Sequence, residues 1–357
     1  MSKKKYVAYV GSYTHGDSRQ GIHVYDVDVE KGTLTPRSSV EVSNASHTAV
    51  SKNGRYLYSI EDEGVAVFKR DGNGDLERIN SVGIDGMRGC FLSTDVDGKY
   101  LYVAGYHDGK VTVVHTHKDG RLGSLMDGVF HTGLGSVAER NFRPHVNCVR
   151  PTPDNKYLCA VDNGLDQVKI YRINKQRGKL ELVDILRCPR ESAPRIIRFS
   201  DDGKFAYILF ELSNEIKAYK YDGSGKTPEF ELIQTIEVTK SKDKHENHNA
   251  ASGLSLANDG KHLFCTTAGE DTVSMFERDE ETGMLTRKFT LPISGEYPKD
   301  IVIFPDDKHL AVTNHASNTI TVFSIDYEKN IIVMNGKPLK VEAPNSIQIW
   351  AVPEDEK

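Results

Sequence analysis

The fold predicted by this sequence is all-β, a seven-bladed β-propeller with four antiparallel strands per blade. Three observations predict it. A strand-turn-strand phrase is written six times, the copies lie 44 to 57 residues apart, and the two chain ends hold the pieces of one more copy. That spacing is the period of a propeller blade, a sheet that cannot bury both faces alone and packs radially against its neighbours.

The elements follow in order. From Tyr6, "YVAYVGSYT", "GIHVYDVD" and "GTLTPRSSVEV" read as the second, third and fourth strands of a blade that has no first strand before it. Six full copies come next, aligned on their turns: "NGRYLYSI" from Asn53, "DGKYLYVA" from Asp97, "DNKYLCAV" from Asp154, "DGKFAYIL" from Asp202, "DGKHLFCT" from Asp259 and "DDKHLAVT" from Asp306. A short apolar run such as "TAVS", "IIRFS" or "IVIFP" precedes each turn, and an alternating run such as "KVTVVH" or "TITVFS" supplies the third strand. Alternation at period two marks strands, and Asp-Gly or Asn-Gly between them marks tight hairpins. More polar fourth strands are expected in the linkers, as in "GDLERINSVG" and "GKLELVDIL".

The last run, "NSIQIWAV", supplies the missing first strand of the opening blade. Pairing of the N- and C-terminal strands then closes the ring as one domain over residues 1–357, and closure removes the open sheet edges that invite aggregation. Extra material at residues 114–144 and 221–249 is expected over one face, where it would shape a binding site.

Composition sets limits. Of 357 residues, 38% are hydrophobic and 27% charged, the profile of a soluble chain with a large core. No run approaches the roughly 18 apolar residues of a membrane span, and "MSKKKYVAYV" reads as a first strand rather than a signal peptide. Five scattered cysteines without a Cys-x-x-Cys pair read as reduced thiols of a cytoplasmic protein. A net charge of -5 argues against nucleic acid as partner, although a local cation cluster could hold a small anion.

Scaffold residues recur in every copy, so polar residues found in one copy are candidates for function. "ERNFRPHVN" places Arg140, Arg143 and His145 at the entrance of one inner strand, and "SAPRIIRFS" places Arg195 at the position taken as equivalent. Glu211 follows the second strand of that same copy, and "YPKDIVIF" puts Lys299 where that copy has Arg195. His, Arg, Lys and one carboxylate thus converge on one channel end. "HENHN" reads as a solvated loop and "DGNGD" as a hairpin turn rather than metal sites, and no Gly-x-Ser-x-Gly elbow is present.

The strings "PHVNCVRPTPDNKYLCAVDNGLDQVKIY" and "APRIIRFSDDGKFAYILFELSNEIKAYK" resemble the lactonase family of seven-bladed propellers, and the resemblance runs from "YVGSYT" to the last strand. It implies a lactone hydrolase of the 6-phosphogluconolactonase type, without metal or organic cofactor, acting on a small and anionic lactone. His145, Arg195 and Glu211 would be its active residues, and Arg140 matches an arginine that commonly precedes the Pro-His. Arg143, Arg140 and Lys299 are the substrate-binding candidates. The chain departs from the family pattern at Thr267-Ala268-Gly269, where Asn-Arg-Gly is frequent, at Phe210 for an Asn, and at Asn147 for a second His.

Ester hydrolysis needs a base for the attacking water and donors for the oxyanion. Glu211 or His145 could be the base, with Arg195 as oxyanion donor. Two rival readings are a cyclase closing a muconate-type lactone and a non-enzymatic binding propeller with apolar patches on its rim.

Overall fold

A computed structural model describes residues 4–14, 19–135, 142–240 and 249–353. Among them the chain forms seven antiparallel sheets. In six blades the strands run in chain order from the channel outward. Their inner strands are Thr48–Val50 (blade 2), Phe91–Thr94 (blade 3), Val146–Pro151 (blade 4), Pro194–Phe199 (blade 5), Ala250–Leu256 (blade 6) and Pro298–Ile303 (blade 7). Blade 1 is built from both chain ends: Pro344–Ala351 is its inner strand, paired antiparallel along the whole of Tyr6–Ser12. The seven inner strands contact one another in sequence and the last returns to the first, which closes the ring.

The turn that defines the repeat works by backbone geometry. Gly54, Gly98, Asn155, Gly203, Gly260 and Asp307 occupy the same place in six hairpins, and all have φ between 54° and 73°. Only Gly, Asn and Asp adopt this left-handed conformation cheaply, so the variation among the copies stays inside that small set. "DGNGD" is likewise a turn: Asp71 accepts backbone N–H bonds from Asn73 and Asp75, both at 2.8 Å.

The core lies between blades. Tyr102, Tyr207, Phe264 and Phe304 are wholly buried there. Each fully buried side chain of this size contributes about 1.5–3 kcal/mol. Tyrosines also lock neighbouring blades: Tyr9 donates to the Gly74 carbonyl at 2.6 Å and accepts from Arg70 Nε at 2.9 Å. Tyr207 repeats the device with Gly283 and Arg278, both at 2.9 Å.

The inner edges face the channel and expose backbone groups that no strand pairs. Side chains of the preceding blade satisfy several of them. Asn345 donates to the Ser46 carbonyl at 2.8 Å, Ser93 to Val149 at 2.7 Å, and Arg195 to Ser252 at 3.0 Å. An unpaired buried carbonyl would cost a large fraction of a hydrogen bond, so these contacts stabilise ring closure.

The predicted fourth strands are present, as Leu76–Gly83 and Lys179–Arg187 show. The outer edge of blade 7 differs: it is split into Ile331–Met334 and a two-residue piece, Leu339–Lys340, both pairing with Thr319–Asp326. Much of the extra material at 114–144 and 221–249 is regular outer strand, Leu122–Phe130 and Glu229–Glu237. Of the connections from those strands to the next inner strands, the described residue His131 lies against Asp162, and Asn249 accepts from Asn214 through its carbonyl.

Candidate active site

The site stands where inner strands begin and second strands end. In blade 5, Pro194 pairs with Phe210 and Ile196 with Leu209, so Arg195 is the extra residue of a β-bulge. A bulge re-aims one side chain without disturbing the rest of the ladder. Here it directs the guanidinium onto Glu211, the residue immediately after the second strand: Nη1 lies 2.5 Å from Glu211 Oε2, while Nε donates to the Ser252 carbonyl.

Both groups are largely shielded, with side-chain exposures of 19% for Arg195 and 9% for Glu211. Burial alone would lower the Arg195 pKa. The charge and hydrogen bond of Glu211 outweigh that effect, helped by Tyr297 and Cys90, and the net shift is upward. Arg195 is therefore a permanent cation with a fixed orientation.

His145 lies at the neighbouring strand entrance. Its Nδ1 is 2.6 Å from the Tyr106 carbonyl, an oxygen that can only accept, so Nδ1 carries a proton and the neutral ring keeps its lone pair on Nε2. Tyr106 stacks on the imidazole at 4.3 Å and Phe142 meets it edge-on at 6.0 Å. Beneath it, Asp162 Oδ1 accepts the backbone N–H groups of His145 at 2.9 Å and of Gly164 and Leu165, both at 3.0 Å, while Oδ2 holds His131 Nδ1 at 2.6 Å. This carboxylate fixes the turn carrying Asn163, which joins the two halves of the site: its N–H donates to the His145 carbonyl at 3.0 Å and its amide to Glu211 Oε2 at 3.4 Å.

The register corrects one expectation. Val146, Pro194 and Pro298 pair with the last residues of their second strands, which makes Asn147, Arg195 and Lys299 equivalent. His145 stands two residues earlier, level with Ala193 and Tyr297, so it does not share the ring position of Arg195. It enters the same site from the rim. Lys299 lies in blade 7 with Nζ 4.6 Å from the Tyr297 ring centroid, and Arg143 is exposed, its guanidinium 5.5 Å from the Phe142 ring. Arg140 lies outside the described residues, as do positions 245–248 of "HENHN". Ala268 is buried in a strand pair with Ala250, and Phe210 is wholly buried with Lys217 Nζ 5.6 Å from its ring.

Asn163, Asp162, His131 and Tyr106 were not singled out from sequence. A signal for Asn163 existed: Asn163, Glu211 and His315 each follow a second strand and each donates its N–H to the residue before an inner strand, His145, Ala193 and Tyr297 respectively. Reading that one column across the copies would have found it. The Asp162–His131 contact spans 31 residues and had no such signal.

The similarities to known proteins agree with this fold. A family model described as lactonase, seven-bladed beta-propeller, matches residues 7–349. The chain is 32% identical to a 6-phosphogluconolactonase of Bacillus subtilis, over 95% of this chain and 97% of that one. It is 28% identical to a 6-phosphogluconolactonase of Formosa agariphila, over 96% and 99%. The structure of a periplasmic gluconolactonase from Pseudomonas aeruginosa superposes with a TM-score of 0.91 at 27% identity, covering 98% of this chain and all of the other. With the family model spanning nearly its whole length, the chain belongs to the seven-bladed β-propeller lactonase family.

Proposed function

We propose that this lactonase hydrolyses 6-phosphogluconolactone at the Arg195–Glu211–His145 site. The observation that carries the reading is the buried 2.5 Å contact between Arg195 and Glu211, set beside an imidazole whose Nδ1 is committed to donating. The relatives named for that substrate support it.

In the reaction, water oxygen bonds to the lactone carbonyl carbon while His145 Nε2 takes its proton. Negative charge develops on the carbonyl oxygen, where the Arg195 guanidinium supplies donors in a partly dehydrated site. The ring C–O bond then breaks, and His145 returns the proton to the departing ring oxygen. Glu211 keeps the guanidinium oriented, and Asn163 ties Glu211 to the histidine strand. Among the described residues, Lys299 and Arg143 are the cations that would meet an anionic substituent of the substrate, through charge-assisted contacts that need no cofactor. Five cysteines with no disulfide support a reducing compartment such as the cytoplasm.

The test is hydrolysis of freshly generated 6-phosphogluconolactone, corrected for spontaneous opening, beside unphosphorylated gluconolactone. Turnover well above background that collapses in Glu211→Gln supports the proposal. Preference for the unphosphorylated ring would overturn the phosphate assignment and leave the lactonase chemistry standing.

A further inference from the structure

The channel contains a second set of cations that the lactone site does not use. Arg198 lies three residues beyond Arg195 on the same inner strand, and Arg150 holds the equivalent place in blade 4, since Arg198 pairs with Tyr207 and Arg150 with Cys159. Three residues of extended chain span about 10 Å. These guanidinium groups therefore sit deeper, toward the face opposite Glu211, and both line one cavity of about 650 Å³ together with Lys52, Ser200 and Ser255.

Neither guanidinium makes a carboxylate ion pair among the described residues, although the charge of Arg150 acts on the buried Asp300 carboxyl. Arg198 Nε donates to the Leu254 carbonyl at 3.0 Å, but its buried Nη1 has no protein acceptor among the described residues. Arg150 lies 5.5 Å from the Phe91 ring centroid, and its buried Nε also lacks an acceptor. Three carboxylates line the cavity, and among the described residues none makes a direct ion pair with either guanidinium. Asp300 accepts the N–H groups of Ile301 at 2.9 Å and Ile347 at 3.0 Å, Asp95 accepts those of Lys99 and Tyr100, and Asp201 is exposed at the mouth. Buried guanidinium N–H groups left without an acceptor are costly, and an arginine fork matches an oxyanion in shape and charge.

We infer that the channel holds a small oxyanion between Arg150 and Arg198, reached from the face opposite the Arg195–Glu211 pair. The ligand class is inorganic phosphate or the phosphate or carboxylate group of a small metabolite. This site is separate from the proposed lactone site and does not depend on that reading.

The probe is inorganic phosphate, titrated calorimetrically in a phosphate- and sulfate-free buffer. Wild type and Arg195→Gln bind it with affinities within about twofold. Arg150→Gln and Arg198→Gln weaken it at least about tenfold, the loss expected for one charge-assisted contact, whereas Arg198→Lys retains most of it. A measurement on the wild type alone covers variants that fail to fold: phosphate protects Arg150 and Arg198 from phenylglyoxal, read by peptide mass spectrometry. A phosphorylated sugar acid is run in parallel. Equal protection by it assigns the oxyanion to substrate or product, and its failure to protect assigns a free inorganic anion. Absence of phosphate binding by the wild type overturns the inference. So does binding lost in Arg195→Gln but kept in Arg150→Gln, which would place the anion in the lactone site and leave the proposed function intact.

Discussion

Arg195 Nη1 lies 2.5 Å from Glu211 Oε2, and the same guanidinium reaches the Ser252 carbonyl of the next blade through Nε. One side chain thus joins two strands of its own blade and a third strand across the inter-blade gap. Its role in the site and its role in the ring are coupled.

Replacing Arg195 by Ala is expected to lower turnover about 100-fold, the cost of one oxyanion donor. It also leaves Glu211 buried without its cation, which costs about 3 kcal/mol of stability. Initial rates and urea unfolding on the same preparation check both effects. Unchanged turnover in folded protein removes Arg195 from the chemistry.

The base is assigned by pH profiles. His145→Gln should abolish the acidic limb of the turnover profile as well as lower its plateau. Glu211→Gln should lower the plateau and keep the limb, because the imidazole survives. The reverse pattern would make Glu211 the base.

Asp162→Asn keeps one acceptor for the three backbone N–H groups but loses the negative charge that strengthens those bonds and the contact with His131. A stability loss of about 1–3 kcal/mol is expected, measured as a lower urea midpoint with an unchanged slope.

Acid sensitivity has a traceable source in His47. Burial first, then the positive charge of Arg150, pushes its pKa down to about 3, and its Nδ1 accepts the Leu92 N–H at 3.2 Å, a bond that protonation breaks. The unfolded chain takes up this proton near pH 6.5, so below that value unfolding binds a proton and stability falls with falling pH. Asp300, raised to about 6 by burial, acts in the opposite sense between roughly pH 4 and 6. A comparison between wild type and His47→Asn cancels the Asp300 contribution. The wild type should lose about 2 kcal/mol relative to the variant between pH 6.5 and 5, in urea unfolding at each pH. Parallel pH dependences in the two proteins would contradict this account.

The sequence by itself determined the blades, because their signals are local. Alternation of apolar and polar residues fixes a strand, and Gly, Asn or Asp at the left-handed turn position fixes a hairpin, whatever the rest of the chain does. It also brought Pro344–Ala351 to the opening blade, since a count of strands left one place empty. For the site, Arg195 and Glu211 were legible as polar residues peculiar to one copy. Tertiary structure alone decided the bulge that aims Arg195, the offset of His145 from it, and the Asn163 bridge between their blades. The Asp162–His131 support and the placing of Arg150 and Arg198 in one channel cavity also came only from the packed ring. These contacts join residues tens of positions apart whose chemistry carries no periodic signature. They exist because ring closure brings strand ends from separate blades into one partly dehydrated channel, where each polar group must find whatever partner the neighbouring blade presents.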